Sequence, residues 1–172
     1  AAAIPGAEAV DFRDIEGFDS ETAVAMGVGR PAKIYRTEDG GRNWSLVYEN
    51  DAPGIFLDGM AFFDEDNGLA IGDPMDGRFV LLATSDGGKT WTPLPTESRP
   101  AAAEGEAAFA ASGTGLFARE GSRVWFCTGG TVSRVWRSDD RGRRWEASSS
   151  ALLEGTPSSG GFSVFFFDER SG

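Results

Sequence analysis

Apolar residues along this chain come in short runs, some alternating and some nearly continuous, each closed by glycine, aspartate or asparagine. No apolar stripe of helical period persists over a long window, so the pattern predicts strands. They fall into groups of four. The first group reads VDFRDIEGF, TAVAMGVG, AKIYRT and WSLVYEN, and the second LDGMAFF, LAIGDP, RFVLLAT and WTPLP. The third reads TGLFA, RVWFCTGG, RVWRS and WEASSS. Between the third and fourth runs of each group stands nearly the same phrase: TEDGGRNW, TSDGGKTW and SDDRGRRW. A hydroxyl, an aspartate, a glycine and a tryptophan hold the same four places in each: Thr37, Asp39, Gly41 and Trp44; Thr84, Asp86, Gly88 and Trp91; Ser138, Asp140, Gly142 and Trp145.

Local chemistry explains those residue types. The aspartate can accept hydrogen bonds from its own turn, glycine can adopt positive φ, and the hydroxyl adds a further bond. Tryptophan, on the strand leaving the turn, offers a large apolar plate suited to the seam between neighbouring sheets. The aspartates are 47 and 54 residues apart, a spacing of propeller blades or solenoid turns. Four antiparallel strands per unit at that period predict an all-β fold, a β-propeller fragment of about three blades. The closing phrase SVFFFDERSG echoes MAFFDEDNG and reads as the first strand of another blade. The boundaries predicted are a tail or linker at 1–9 and a partial propeller at 10–172, with blades at 10–50, 57–96 and 107–150 and a further start at 161–172. Propellers close with about four to eight blades, so the expectation is that the natural protein continues beyond both ends.

The motif Ser/Thr-x-Asp-x-Gly-x-x-Trp resembles the Asp-box, or BNR repeat, of sialidases, sortilin-like receptors and photosystem II assembly factor-like propellers. Phrases such as MAFFDEDNGLAIGDPMDGRF look most like secreted bacterial BNR-repeat propellers of undefined activity. The resemblance implies that ligands meet the face opposite the repeated turns, around the propeller axis. On that reading the turns are structural, with sugar or metal binding by them the lesser alternative.

Composition narrows the chemistry. Twenty-seven acidic against 16 basic residues give a formal charge of −11, and with the basic residues read as scattered, nucleic acid and anionic membranes are poor partners. There is no histidine and one cysteine, Cys127, so an internal disulfide and the histidine-dependent nucleophilic triads are excluded. A transition-metal site and a cofactor are not expected, since the chain also lacks a glycine-rich dinucleotide turn. Cys127, inside VWFC, reads as a small buried hydrophobe. No run is long enough to span a bilayer as a helix. The opening AAAIPGAEAV lacks a basic n-region and fits a linker or what remains after a signal is removed.

Because the chain reverses at each turn, the second-to-third loops and blade connections share the face opposite the repeated turns. Candidate ligand contacts there are Arg30 in GVGRPAK, Asp58 in FLDGM, Asp73, Asp76 and Arg78 in GDPMDGRF, Glu106 in EGEAAF and Arg134 in TVSRVW. The aspartates beside Arg78 could bind a polar ligand or hold their own loop together by a salt bridge. A sialidase would need an arginine cluster and a tyrosine nucleophile near the axis. The two tyrosines, Tyr35 and Tyr48, fall on a third and a fourth strand, and Arg30-Pro31 is only a shadow of the expected arginine-x-proline signature. A different hydrolase could pair Asp58 with Glu106 or Asp73. The function expected is a non-catalytic binding or scaffold propeller in an extracytoplasmic setting, secreted or periplasmic, taking a protein or glycan ligand. Missing blades or self-association would complete its open edges. The alternative is a glycoside hydrolase of sialidase-like architecture with its catalytic residues largely elsewhere.

Overall fold

The computed structural model describes residues 4–111, 113–119, 121–168 and 171–172. Strands β1 (Asp11–Gly17), β2 (Thr22–Val28), β3 (Ala32–Glu38) and β4 (Ser45–Asn50) form the first sheet in that order. Strands β5 (Leu57–Phe62), β6 (Gly68–Met75), β7 (Arg78–Thr84) and β8 (Thr92–Pro93) form the second. The third contains β10 (Leu116–Ala118), β11 (Val124–Cys127), β13 (Arg134–Ser138) and β14 (Glu146–Ser149). All neighbours run antiparallel. The innermost strands β1, β5 and β10 lie against one another, and the sheets radiate from them as the blades of an unclosed propeller.

The hydrophobic pattern explains this stacking. The middle strand RFVLLAT is apolar on both faces because the second sheet is covered by a sheet on each side. Val24, Met26 and Ile34 of the first sheet pack against Met60, Ala70, Leu82 and Trp91 of the second. Leu69, Ile71 and Leu81 from the other face of the second sheet meet Leu116, Phe126 and Trp136 of the third. Outer strands bury little: β14, EASS, is exposed throughout.

The three repeated turns fold alike. The Thr37, Thr84 and Ser138 hydroxyls donate to Asp39, Asp86 and Asp140 at 3.0, 2.8 and 2.9 Å. Each hydroxyl also accepts the N–H of its glycine, Gly41, Gly88 or Gly142, at 3.0, 2.9 and 2.8 Å. The glycine is required twice over. Gly88 has φ +78, and a Cβ there would come within 2.7 Å of Val24 on the preceding sheet; at Gly142, φ +81, it would come within 2.8 Å of Leu69. Val24 and Leu69 hold equivalent places, since they pair with Glu16 and Ala61 at matching points of their hairpins. The second and third turns therefore rest their glycines on the sheet before them, whereas Gly41 of the first meets only its own Trp44.

Of the three tryptophans expected to be buried, Trp91 is sealed, whereas Trp44 and Trp145 are half-buried. Trp91 has Val24, Met26 and Ile34 of the first sheet to pack on, and Phe62 of its own blade lies at 5.8 Å. Trp44 faces the outer side of the first sheet, where it borders a groove of about 710 Å³ with Ile4, Val10, Phe12 and Ile15.

Two features escape the strand pattern. A short ladder, β9 (Glu106–Ala107) with β12 (Gly129–Gly130), ties the second blade connection to the third blade. Residues 161–168, read as the first strand of another blade, form no extended ladder among the described residues. The Val164 N–H donates to Thr114 O at 2.9 Å, and Phe166 stacks on Trp125 at 4.5 Å. Phe167 N–H donates to Ser171 O, as Phe63 N–H does to Asn67 O, both at 2.8 Å.

Candidate functional site

Direct bonds fix which loops share a face. Gly40, Gly87 and Arg141 of the repeated turns donate their N–H groups to Glu21, Asp66 and Ser122 in the first-to-second hairpin turns of the same blades. The second-to-third loops and the blade connections therefore lie at the opposite ends of the strands.

At that end the structure separates the sequence-derived candidates. Arg30 is held by Asp51, Nε to Oδ1 at 2.8 Å, on an exposed edge of the first blade. Asp76, at φ +53, is a turn residue of the β6–β7 hairpin. Arg78 donates through Nη1 to Arg99 O at 2.6 Å, while Arg99 Nε donates to Phe79 O at 2.9 Å, so this arginine pair laces the blade connection to β7. No Asp76–Arg78 salt bridge forms among the described residues.

Asp58, Asp73, Glu106 and Arg134 gather instead where the second and third blades meet. Glu106 is buried at 4 % exposure because β9 carries it inward, and its carboxylate is fully engaged. It forms a salt bridge with Arg134 and accepts Thr128 Oγ1 at 2.6 Å, the Ala103 N–H at 2.9 Å and Trp136 Nε1 at 3.4 Å. Burial pushes this carboxyl up, but the bonds from Arg134, Thr128 and Ala103 bring it to rest below the ordinary value. The Arg134 guanidinium also lies 4.4 Å over the Trp136 ring. Pairing with a carboxylate and a ring leaves Arg134 little freedom.

Asp58 and Asp73 face the opposite situation. Asp58 sits where the β5–β6 register shifts, between Leu57 and Gly59, and is 2 % exposed. Neither of its oxygens makes a hydrogen bond of good geometry, although the Asp73 and Ala110 N–H groups lie near enough to draw its carboxyl down in part. Burial first, then the charge of Asp73, pushes its carboxyl up to about 8. Asp73 is only partly buried, and one oxygen accepts the Ala108 N–H at 3.2 Å. Its carboxyl is raised too, chiefly by burial. Asp73 lines a groove of about 650 Å³ with Pro74, Gly77 and the connection from Ala102 to Ala107. Strand parity puts these residues at the end of the sheets opposite the repeated turns, and they lie at that end. What it could not supply was the division between engaged and unengaged carboxylates.

Two side chains that strand parity did not single out lie on the axis. Asp14 in β1 accepts the Met60 N–H at 2.7 Å, and burial raises its carboxyl to about 6. With Glu16 it borders an axial groove lined by Met60, Leu116 and Phe165. Their signal was present in the alternation of DFRDIEG, which places Asp14 and Glu16 on one side of the innermost strand.

The basic residues are less scattered than the composition suggested. Seven of the 16 lie between residues 119 and 144. Local acids absorb several of them: Asp139 takes Arg123 and Arg137, and Asp64 takes Arg141. Cys127 is buried, as expected, and burial raises its thiol to about 11.

Unclosed four-stranded antiparallel blades around a common set of inner strands define a β-propeller. Among solved structures the chain is similar to YCF48 bound to D1 peptide, with 21 % identity, a TM-score of 0.56, and 84 % of this chain and 41 % of that chain covered. It is also similar to the α-L-arabinanase of Penicillium chrysogenum complexed with arabinobiose, with 16 % identity, a TM-score of 0.51, and 87 % and 51 % covered. The chain thus spans about half or less of the length of these structures. At such identities the likeness is one of fold. No family model and no curated protein matches the sequence. Among the described residues no helix is long and apolar enough to cross a membrane.

Proposed function

We propose that this chain is part of a non-catalytic binding propeller of the Asp-box type, working outside the cytoplasm, and that it binds a protein segment at the face of the second-to-third loops and blade connections. The observation that carries this reading is the fate of the carboxylates. Hydrolysis needs a proton donor and a partner that both reach the substrate. Asp58, which has the most raised carboxyl, is sealed behind the groove, and Glu106 is consumed by Arg134, Thr128 and Ala103. With Asp58 sealed and Glu106 engaged, the accessible carboxylates left in the groove are Asp73 and the exposed Glu104 on its rim, an arrangement that suits recognition better than catalysis. The fold neighbour YCF48, seen bound to D1 peptide, gives a precedent for peptide recognition on this architecture.

A second reading, a glycoside hydrolase, draws on the Asp58–Asp73 pair and on the likeness in fold to an arabinanase. One pair of measurements separates the two. Binding of the purified chain to a peptide array and to a glycan array is compared with turnover of a panel of nitrophenyl glycosides. Peptide retention without hydrolysis is the expected result. Turnover that disappears in Asp73→Asn would establish the hydrolase instead.

A further inference from the structure

We propose that the groove between the second and third blades receives a protonated amine or guanidinium, the side chain of a lysine or arginine in a bound protein segment, with Asp73 as its contact. This deepens the binding reading above and rests on it. Three carboxylates converge here, those of Asp58, Asp73 and Glu106, and the one cation among them, Arg134, is spent on Glu106. Glu106 is thereby paired, whereas Asp58 and Asp73 make no ion pair among the described residues. Asp58 is 98 % buried by its 2 % exposure, has neither oxygen hydrogen-bonded, and has Asp73 as its neighbouring charge. Asp73 uses Oδ1 on Ala108 and makes no hydrogen bond through Oδ2 among the described residues. Glu104, on the rim of the same groove, makes no ion pair among the described residues. The groove therefore presents the Asp73 carboxylate without a cation, backed by the buried Asp58, which only the nearby Asp73 and Ala110 N–H groups stabilise in part. In the folded chain alone, holding a proton on Asp58 relieves that deficit; an arriving cation would relieve it better.

The geometry favours an organic cation over a metal ion. Calcium takes six to eight oxygens, and no group of three or more acidic, cysteine or histidine side chains is placed to hold a metal among the described residues. The groove, at about 650 Å³, has the size of a small-ligand pocket and has room for a long side chain with its flanking backbone. Charge also favours the encounter, since the whole chain carries −11.

The test titrates the whole chain with a hexapeptide bearing one central lysine, a second with glutamine in its place, and calcium chloride alone. Heteronuclear NMR follows the amides of 102–108 and isothermal calorimetry follows affinity. The lysine peptide is expected to shift those amides and to bind at least about tenfold more tightly than the glutamine peptide, the scale of one charge-assisted hydrogen bond. Asp73→Asn, which keeps the shape of the side chain, should abolish the difference while leaving the melting temperature within a few degrees. Equal binding of both peptides overturns the cation proposal and leaves peptide recognition standing. Shifts in the same amides from calcium but not from the lysine peptide overturn it in favour of a metal site. If neither peptide binds, the proposal falls, whereas peptide recognition itself falls only if the array also retains nothing.

Discussion

Trp91 and Trp44 occupy the same place in two successive turns and have different surroundings. Trp91 is sealed by the sheet before it, and Trp91→Ala should cost about 3–5 kcal/mol, as large core truncations do. Trp44 is half-buried on the outer face of the first sheet, so Trp44→Ala should cost clearly less. Urea unfolding of both variants checks the order, and equal losses would mean that burial does not separate them. Asp58 makes a second prediction. Its carboxyl is raised in the folded chain, so folding favours the protonated form, and stability falls as pH rises from the unfolded value near 4 to the folded value of about 8. Each pH unit in that window costs at most about 1.4 kcal/mol from this group. Asp14, raised to about 6, acts in the same direction over a shorter range. Asp58→Asn should flatten the decline in a pH series of denaturation curves; an unchanged slope would show that another group causes it.

At the level of the element, the turn is the most legible unit of this chain, because its bonds are local and its residues contiguous. The hydroxyl, aspartate and glycine at fixed places specify three hydrogen bonds without help from the rest of the fold. Position seven was not legible in advance. Asn43 and Thr90 donate their side chains to Asp39 and Asp86 at 2.7 Å, and the Asn43 bonds help bring the Asp39 carboxyl down to about 2. Arg144 in the third turn offers Asp140 only its backbone N–H, at 2.8 Å. Arg144→Thr should therefore add a bond and stabilise the third blade by about 0.5–1 kcal/mol. A thermal melt that shifts downward would contradict this. The β9–β12 ladder was illegible for a related reason: its pairing joins Glu106–Ala107 to two glycines across the blade, and nothing in either dipeptide alternates.

For the whole molecule, the period of the turns and the double-faced apolar strands announced blades stacked round an axis, and the sheets follow that order. The grouping of Asp58, Asp73, Glu106 and Arg134 was only half visible, because parity assigns an end of the sheet and not a distance between blades. The outermost faces are apolar at both extremes, with Phe12, Ile15 and Leu46 exposed on one and Phe165 and Phe167 on the other. This chain should self-associate through them, and light scattering at rising concentration should show a growing mass that Phe12→Ser with Ile15→Ser reduces. A monomer at every concentration would count against adhesive faces.

Resting the second and third turns' glycines on the sheet before them has a consequence for how the molecule opens. Gly88 sits on Val24 and Gly142 on Leu69, so coupling runs between nearest neighbours along a line of sheets. The middle sheet is clamped from both sides, and the first has a neighbour on one side only. Amide hydrogen exchange should accordingly be slowest in β6 and β7 and faster in the equivalent strands β2 and β3, a gradient of local opening imposed by order along the stack.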